Sequence, residues 1–256
     1  MPAQPPTAPH HPLLPPERYF RWRAGEITRL EAFCDVVFGF AITLLVVSLE
    51  VPHSFAELKV AMRGFLPFAV CFAQFVLIWV THYRFSRRYG LEDGYTVFLN
   101  VVLLFLVLFY VYPLKFLFTF IIGQIVDPGN VEHLNAHDAT VLMQIYGVGF
   151  ASVFALFVLM YHHAYALRQK LQLNAVEVLE TRSTMLENLV MMLIGVLSCL
   201  VAFKDPQWAG LSYNLIGVFF FIYAPVMTRR KKKLAESLEA KAIEPADDVV
   251  PSTAAG

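Results

Sequence analysis

Charge is what this chain is short of. Only 16% of its 256 residues are Asp, Glu, Lys or Arg, against about a quarter in an ordinary soluble domain. That deficit excludes a water-exposed surface over most of the molecule. Basic and acidic residues cancel at 20 each, so no global field draws a polyanion, and no nucleic-acid partner is expected. Cysteine is scarce as well. Cys34, Cys71 and Cys199 lie far apart, each inside an apolar run, without disulfide or metal-ligand spacing, and read as small buried residues. The N-terminus lacks the apolar core of a cleavable signal peptide. Residues 1–17 instead hold seven prolines, which exclude a regular element and predict a disordered tail. Also missing are an HExxH pair, a Gly-rich phosphate loop and a Ser/His/Asp arrangement, so the chain does not read as an enzyme and no cofactor is implied. No internal repeat is visible.

What the chain has in abundance is apolar length: 57% of its residues are hydrophobic and the mean hydropathy is +0.57. Six apolar runs, at about 31–51, 60–82, 95–122, 139–162, 184–203 and 208–228, each approach the roughly 20 residues that cross about 30 Å of hydrocarbon. The fold class expected is an all-α integral membrane protein of six transmembrane helices. The fifth run is the least apolar, uncharged only from Asn188 to Phe203. In the third, Pro113 followed by Lys115 predicts a kink or a helix end. The domain organisation is then a tail over 1–17, a six-helix domain over 18–228, and a basic, then polar tail over 229–256. Before the first run, the basic and aromatic stretch RYFRWRAGEITR suits a membrane interface.

Orientation follows from Lys and Arg. Sixteen of the twenty fall before run one, between runs two and three, between four and five, or after six; only Lys59, Arg63, Lys115 and Lys204 fall on the other side. The positive-inside rule places both termini in the cytoplasm, and the RRKKK stretch at 229–233 suits anionic membrane lipid. On the far side, His133, His137 and Asp138 include an i,i+4 pair that suits a metal, but without a third ligand a solvated loop is the expectation. His10-His11 and His162-His163 have no further ligands beside them and carry no metal expectation.

Ionisable groups at membrane depth are expensive and point to function. Asp35 lies just inside the first run, where the helix N-terminus favours an anion. At 1.5 Å per residue, His82 near the end of run two and Asn100 early in run three fall at comparable depth, with Trp79 one turn from His82. These groups are expected to satisfy one another in a buried network, as helix glue, as a gate, or both. Helical periodicity sorts the first run into faces. Phe40, Thr43, Leu44 and Val47 share one, at i, i+3, i+4 and i+7. Cys34, Ala41 and Ser48 form a separate stripe of small residues suited to close packing. Periodicity alone leaves open whether the first face meets lipid, a helix or a pore.

Arg29–Asp35 (R-L-E-A-F-C-D), followed by Ala41-Ile42-Thr43-Leu44-Leu45, resembles the first-helix signature R-x-x-x-F-S-D of the transmembrane protein 175 family, which are potassium-permeable channels. Trp79–Phe85 (W-V-T-H-Y-R-F) is similar to the family's W-x-x-H-x-R segment, and Asn100 with the later Pro113 resembles its third helix. Cys34 stands where the motif has serine, and Phe40 where the family usually has isoleucine or leucine. The resemblance implies a potassium-preferring cation channel without a pore-loop filter, in the plasma membrane of a prokaryote, built as a homotetramer whose first helices line the central pore. K+ is then the permeant species rather than a cofactor, and the partners are further copies of the chain and membrane lipid. It further implies that Phe40, Leu44 and Val47 form the constriction and that Thr43 contributes to cation preference. Arg29, Asp35, Trp79, His82 and Asn100 make up the structural and gating polar network. A proton-coupled secondary transporter working through Asp35 and His82, or a non-conducting membrane assembly protein, are the alternative readings.

Overall fold

The computed structural model describes residues 20–47, 51–126 and 134–243. All regular structure among them is helical: α1 (Arg29–Val47), α2 (Phe55–Arg63), α3 (Phe65–Tyr89), α4 (Gly94–Val126), α5 (Ala136–Ala166), α6 (Ala175–Ala202), α7 (Pro206–Leu211) and α8 (Asn214–Ile243). Six helical segments are long and apolar enough to cross a membrane, the sixth formed by α7 and α8 together. The tail expected over 1–17, with His10 and His11, lies outside the described residues, as do Ser48 and His133.

Several boundaries differ from those expected, for one reason: hydropathy marks where a helix meets lipid, not where its hydrogen bonds end. The second run begins earlier in the sequence than its helix does. Phe55–Arg63 is a separate short helix whose N-terminus is capped by Ser54, accepting from the Glu57 N–H, and α3 starts only after Gly64. The fifth run is preceded by a polar helical stretch, so α6 starts at Ala175. It is held there by a capping box in which Asn174 and Glu177 satisfy each other's backbone N–H groups. The expected helix end at Pro113 is not found; α4 continues through it to Val126. The last helix likewise does not stop at Thr228, but runs on through Arg229–Lys233 to Ile243, where long basic and acidic side chains favour helix in water.

α1 packs on α3 and α4, and α4 on α5, around a core that includes Phe38, Leu45, Phe75, Leu103, Val107 and Phe157. The α5–α6 contact is closer. A Cβ on Gly147 would meet Cys199 Sγ at 2.5 Å and the Gly195 carbonyl at 3.0 Å, so only glycine allows this approach, as is common where membrane helices touch. At the other critical glycine, Gly90, the chain leaves α3 with φ +57°, the left-handed cap that glycine takes without penalty. A Cβ there would also come within 3.2 Å of the Ala24 nitrogen. That close approach lets the segment before α1 dock on α3, where the Arg23 and Ala24 N–H groups both donate to the Arg87 carbonyl.

Candidate functional site

α1 has two faces with different fates. Glu31, Cys34, Phe38, Ala41 and Leu45 recur at i, i+3, i+7, i+10 and i+14 and are all buried inside the subunit. On the opposite side Phe33, Val36, Phe40 and Val47 are each more than half exposed. Thr43 lies in that exposed stripe, with its hydroxyl donating to the Gly39 carbonyl four residues back at 2.9 Å. Leu44, grouped with them by periodicity, sits at the edge of the stripe. It is half-buried and packs against the core. The stripe is therefore narrower than expected, and Phe33 and Val36 extend it toward the N-terminus.

The buried face carries the polar groups. Asn100 Nδ2 donates to the Thr96 carbonyl at 2.8 Å, which orients the amide and turns Oδ1 toward α3. His82 Nε2 lies 2.6 Å from that oxygen. An amide oxygen only accepts, so Nε2 carries the proton. Cys34 Sγ reaches the same Asn100 oxygen at 3.8 Å, a weak thiol contact where the motif has a hydroxyl. The Phe38 ring lies 5.6 Å from the imidazole, centroid to centroid. One position beyond Cys34, Asp35 Oδ1 accepts from the Trp79 indole N–H at 2.8 Å. The expected constellation thus forms as two adjoining sets, Cys34–Asn100–His82 and Asp35–Trp79, tying α1 to both α3 and α4.

Arg29 does not join them. Its side chain is exposed at the first turn of α1, pointing away from the subunit, and a different arginine does the buried work. Arg87 Nη1 pairs with Glu31 Oε2 at 3.3 Å, with the two side chains 2% and 4% exposed. Arg87 Nη2 donates to the Gly25 carbonyl at 3.1 Å, and its guanidinium lies over Trp22. Glu31 stands within Arg29–Asp35, and Arg87 lies two residues beyond Trp79–Phe85. Spacing does not mark the pair: Glu31 shares its helix with Asp35 and Arg87 stands beside the equally buried Arg88, and only packing brings the two together.

Further ion pairs surround this end of the bundle. Arg23 reaches both oxygens of Glu177, at 3.1 and 2.6 Å, and donates to the Leu171 carbonyl at 2.7 Å. Glu180 holds Arg88 at 3.0 Å and also pairs with Lys231. His163 Nε2 donates to Asp93 Oδ2 at 3.0 Å. Burial alone would lift the Asp93 carboxyl, but hydrogen bonds from Thr96 and His163 outweigh it and hold it below the ordinary carboxylate range. The segment leading into α1, the end of α3, the start of α6 and the basic part of α8 are therefore one cross-linked layer. Among the described residues no group of three or more His, Cys, Asp or Glu is placed to hold a metal ion.

Three comparisons bear on this geometry. The family model described as endosomal/lysosomal potassium channel TMEM175 matches residues 29–110, the stretch containing α1, α3 and the first half of α4. A potassium channel of Marivirga tractuosa is 40% identical over 217 residues, covering 81% of this chain and 87% of that protein. A potassium channel of Chamaesiphon minutus is 35% identical over 106 residues, covering 38% and 52%. Among solved structures, a variant of the potassium channel MtTMEM175 bound to a nanobody–MBP fusion superposes with a TM-score of 0.69. It is 37% identical in sequence, over 86% of this chain and 98% of that one.

Proposed function

The chain belongs to the TMEM175 family of potassium channels, and from that premise we propose that it is a potassium-preferring cation channel whose pore is lined by α1. Four subunits surround one axis and each turns the exposed stripe of α1 inward. Phe40 and Val47 form a hydrophobic constriction, Leu44 braces it from the side, and the Thr43 hydroxyl contributes to cation preference. A narrow apolar ring resists wetting, so widening it by a small displacement of α1 opens the path. Such a helix has to be held firmly on its other side. The Cys34–Asn100–His82 set, the Asp35–Trp79 bond and the Glu31–Arg87 pair provide that hold and set the rotation of the stripe.

The observation that carries this reading is the division of α1. One face is locked to its own subunit by buried polar bonds. The opposite face presents a free, mostly apolar stripe broken by one hydroxyl. The orientation that goes with it places the arginine-rich end, and hence both termini, in the cytoplasm, in the plasma membrane of a prokaryote. The test is flux. Purified protein in potassium-loaded liposomes is expected to pass K+ faster than Na+, and absence of cation flux across a range of voltage and pH overturns the reading.

A further inference from the structure

A cavity of about 730 Å³ lies away from the exposed stripe of α1, bounded mainly by α3, α5, α6 and α8. Much of its wall is apolar and aromatic, with Phe150, Phe154 and Phe157 on one side and Tyr213 and Phe220 on another. Along α3 its lining runs from Gln74 to Arg88, about 21 Å at 1.5 Å per residue. That exceeds one leaflet's half of a roughly 30 Å hydrocarbon core. α3 and α8 make no extensive contact with each other, and Leu77 and Phe221 are largely exposed. A space of this shape, apolar and open to the side, takes up lipid chain rather than water.

Four charged residues line it, of which Arg88 and Glu180 are paired with each other. Arg84 on α3 and Glu187 on α6 both line it. Arg88 touches both Glu180, at 3.0 Å, and Thr184, at 3.5 Å, which fixes the register of these antiparallel helices. Arg84 and Glu187 then lie within about one turn of the same depth. Arg88 and Lys231 are committed to Glu180. Glu187 takes a hydrogen bond from Ser183 Oγ at 3.1 Å, and neither it nor Arg84 forms an ion pair among the described residues. Arg88 and Lys231 act on the Glu187 carboxyl only from a distance, and a carboxylate at this depth without a contacting counter-charge is costly; here a cation and an anion stand on two walls of one cavity.

We propose that this cavity binds a zwitterionic phospholipid bearing a primary ammonium. Its phosphate sits on Arg84, its ammonium donates to Glu187, and one acyl chain runs along the aromatic wall. The charge pattern selects among headgroups. An anionic phosphoglycerol satisfies the arginine but offers the carboxylate no cation, and a trimethylammonium headgroup has no N–H to donate to it. The proposal does not depend on ion conduction, so its outcome is separable from that of the channel reading.

Full-length protein is exchanged into mixed micelles holding equal phosphatidylethanolamine, phosphatidylcholine and phosphatidylglycerol with matched chains, and retained lipid is counted by native mass spectrometry. The ethanolamine lipid is expected to be retained about tenfold over the other two, the scale of one charge-assisted hydrogen bond. Glu187→Gln is expected to erase that preference while lipid is still retained, and Arg84→Gln to lower retention of all three. Equal retention by the wild-type protein, a preference that survives both substitutions, or a cavity filled by a neighbouring subunit with no lipid retained overturns the proposal. The wild-type comparison decides the matter even if a variant does not fold.

Discussion

Replacing Glu31 by leucine strands the Arg87 guanidinium in the interior. Arginine cannot shed its proton, and its remaining partners are the Gly25 carbonyl and the Trp22 face. Breaking a buried pair from one side costs about 3–5 kcal/mol; with two contacts left, the lower end applies. For a chain of this size about 1 kcal/mol corresponds to roughly 2–4 °C in the melting temperature, so Glu31→Leu is expected to lower it by ~6–12 °C. Arg87→Leu leaves a carboxyl that can take a proton and is expected to cost less. The double variant Glu31→Leu/Arg87→Leu replaces the pair by hydrocarbon in a well-packed site and is expected to recover most of the loss, since such replacements are often near neutral. Thermal unfolding of the four proteins in one detergent, followed by intrinsic fluorescence, completes the double-mutant cycle. If the two single losses simply add in the double variant, the pair is not coupled and the anchoring role assigned to it fails.

Asn100→Leu removes the acceptor of the His82 Nε2–H and the contact of Cys34 together, and is expected to cost about 1–3 kcal/mol for the stranded donor, read as a lower melting temperature. Cys34→Ser restores a hydroxyl facing Asn100 Oδ1 and is expected to leave stability unchanged or slightly raised in the same assay. Gly90→Ala forces a left-handed residue and a Cβ against Ala24, costing about 1–2 kcal/mol; limited proteolysis should then cut more readily within residues 20–28. Because the folded-state Asp93 carboxyl titrates below its ordinary value, its contribution is complete above about pH 4 and is lost as pH falls through the depressed value. Asp93→Asn is expected to lower the melting temperature at neutral pH and to flatten that part of the acid melting profile, so that variant and wild type converge as pH falls through the depressed value.

Much of the fold was legible because lipid imposes long apolar runs, and the sidedness of twenty basic residues supplied an independent check on their number. The buried constellation was legible for a related reason: Asp35, Trp79, His82 and Asn100 are polar at a depth where polar groups must pair. Arg29 and Arg87 show where that logic stopped. Both are basic residues near a helix end, and only packing distinguishes the one that faces out from the one that meets Glu31. Leu44 lies a few tens of degrees of helical rotation from the centre of the stripe, a difference between edge and centre that does not show in spacing. The ion pairs of Arg23 with Glu177 and of Arg88 with Glu180 join positions more than ninety residues apart, and no local pattern marks them. The extension of α8 past Thr228 was hidden because charge was read as the end of the helix, when it marks only the end of the hydrocarbon.

Cysteine scanning of α1 tests the central claim most directly. The native Cys34 and Cys71 are buried and Cys199 is partly buried, so a background with Cys199→Ser suits a small, charged thiol reagent applied to the reconstituted protein during potassium flux. Modification is expected to block flux in Val36→Cys, Thr43→Cys and Val47→Cys, which lie on the exposed stripe. It is expected to leave flux unchanged in Leu45→Cys on the buried face and in Phe221→Cys on α8. Flux that is indifferent to modification at all three stripe positions, or blocked equally from Phe221→Cys, would contradict a pore lined by α1.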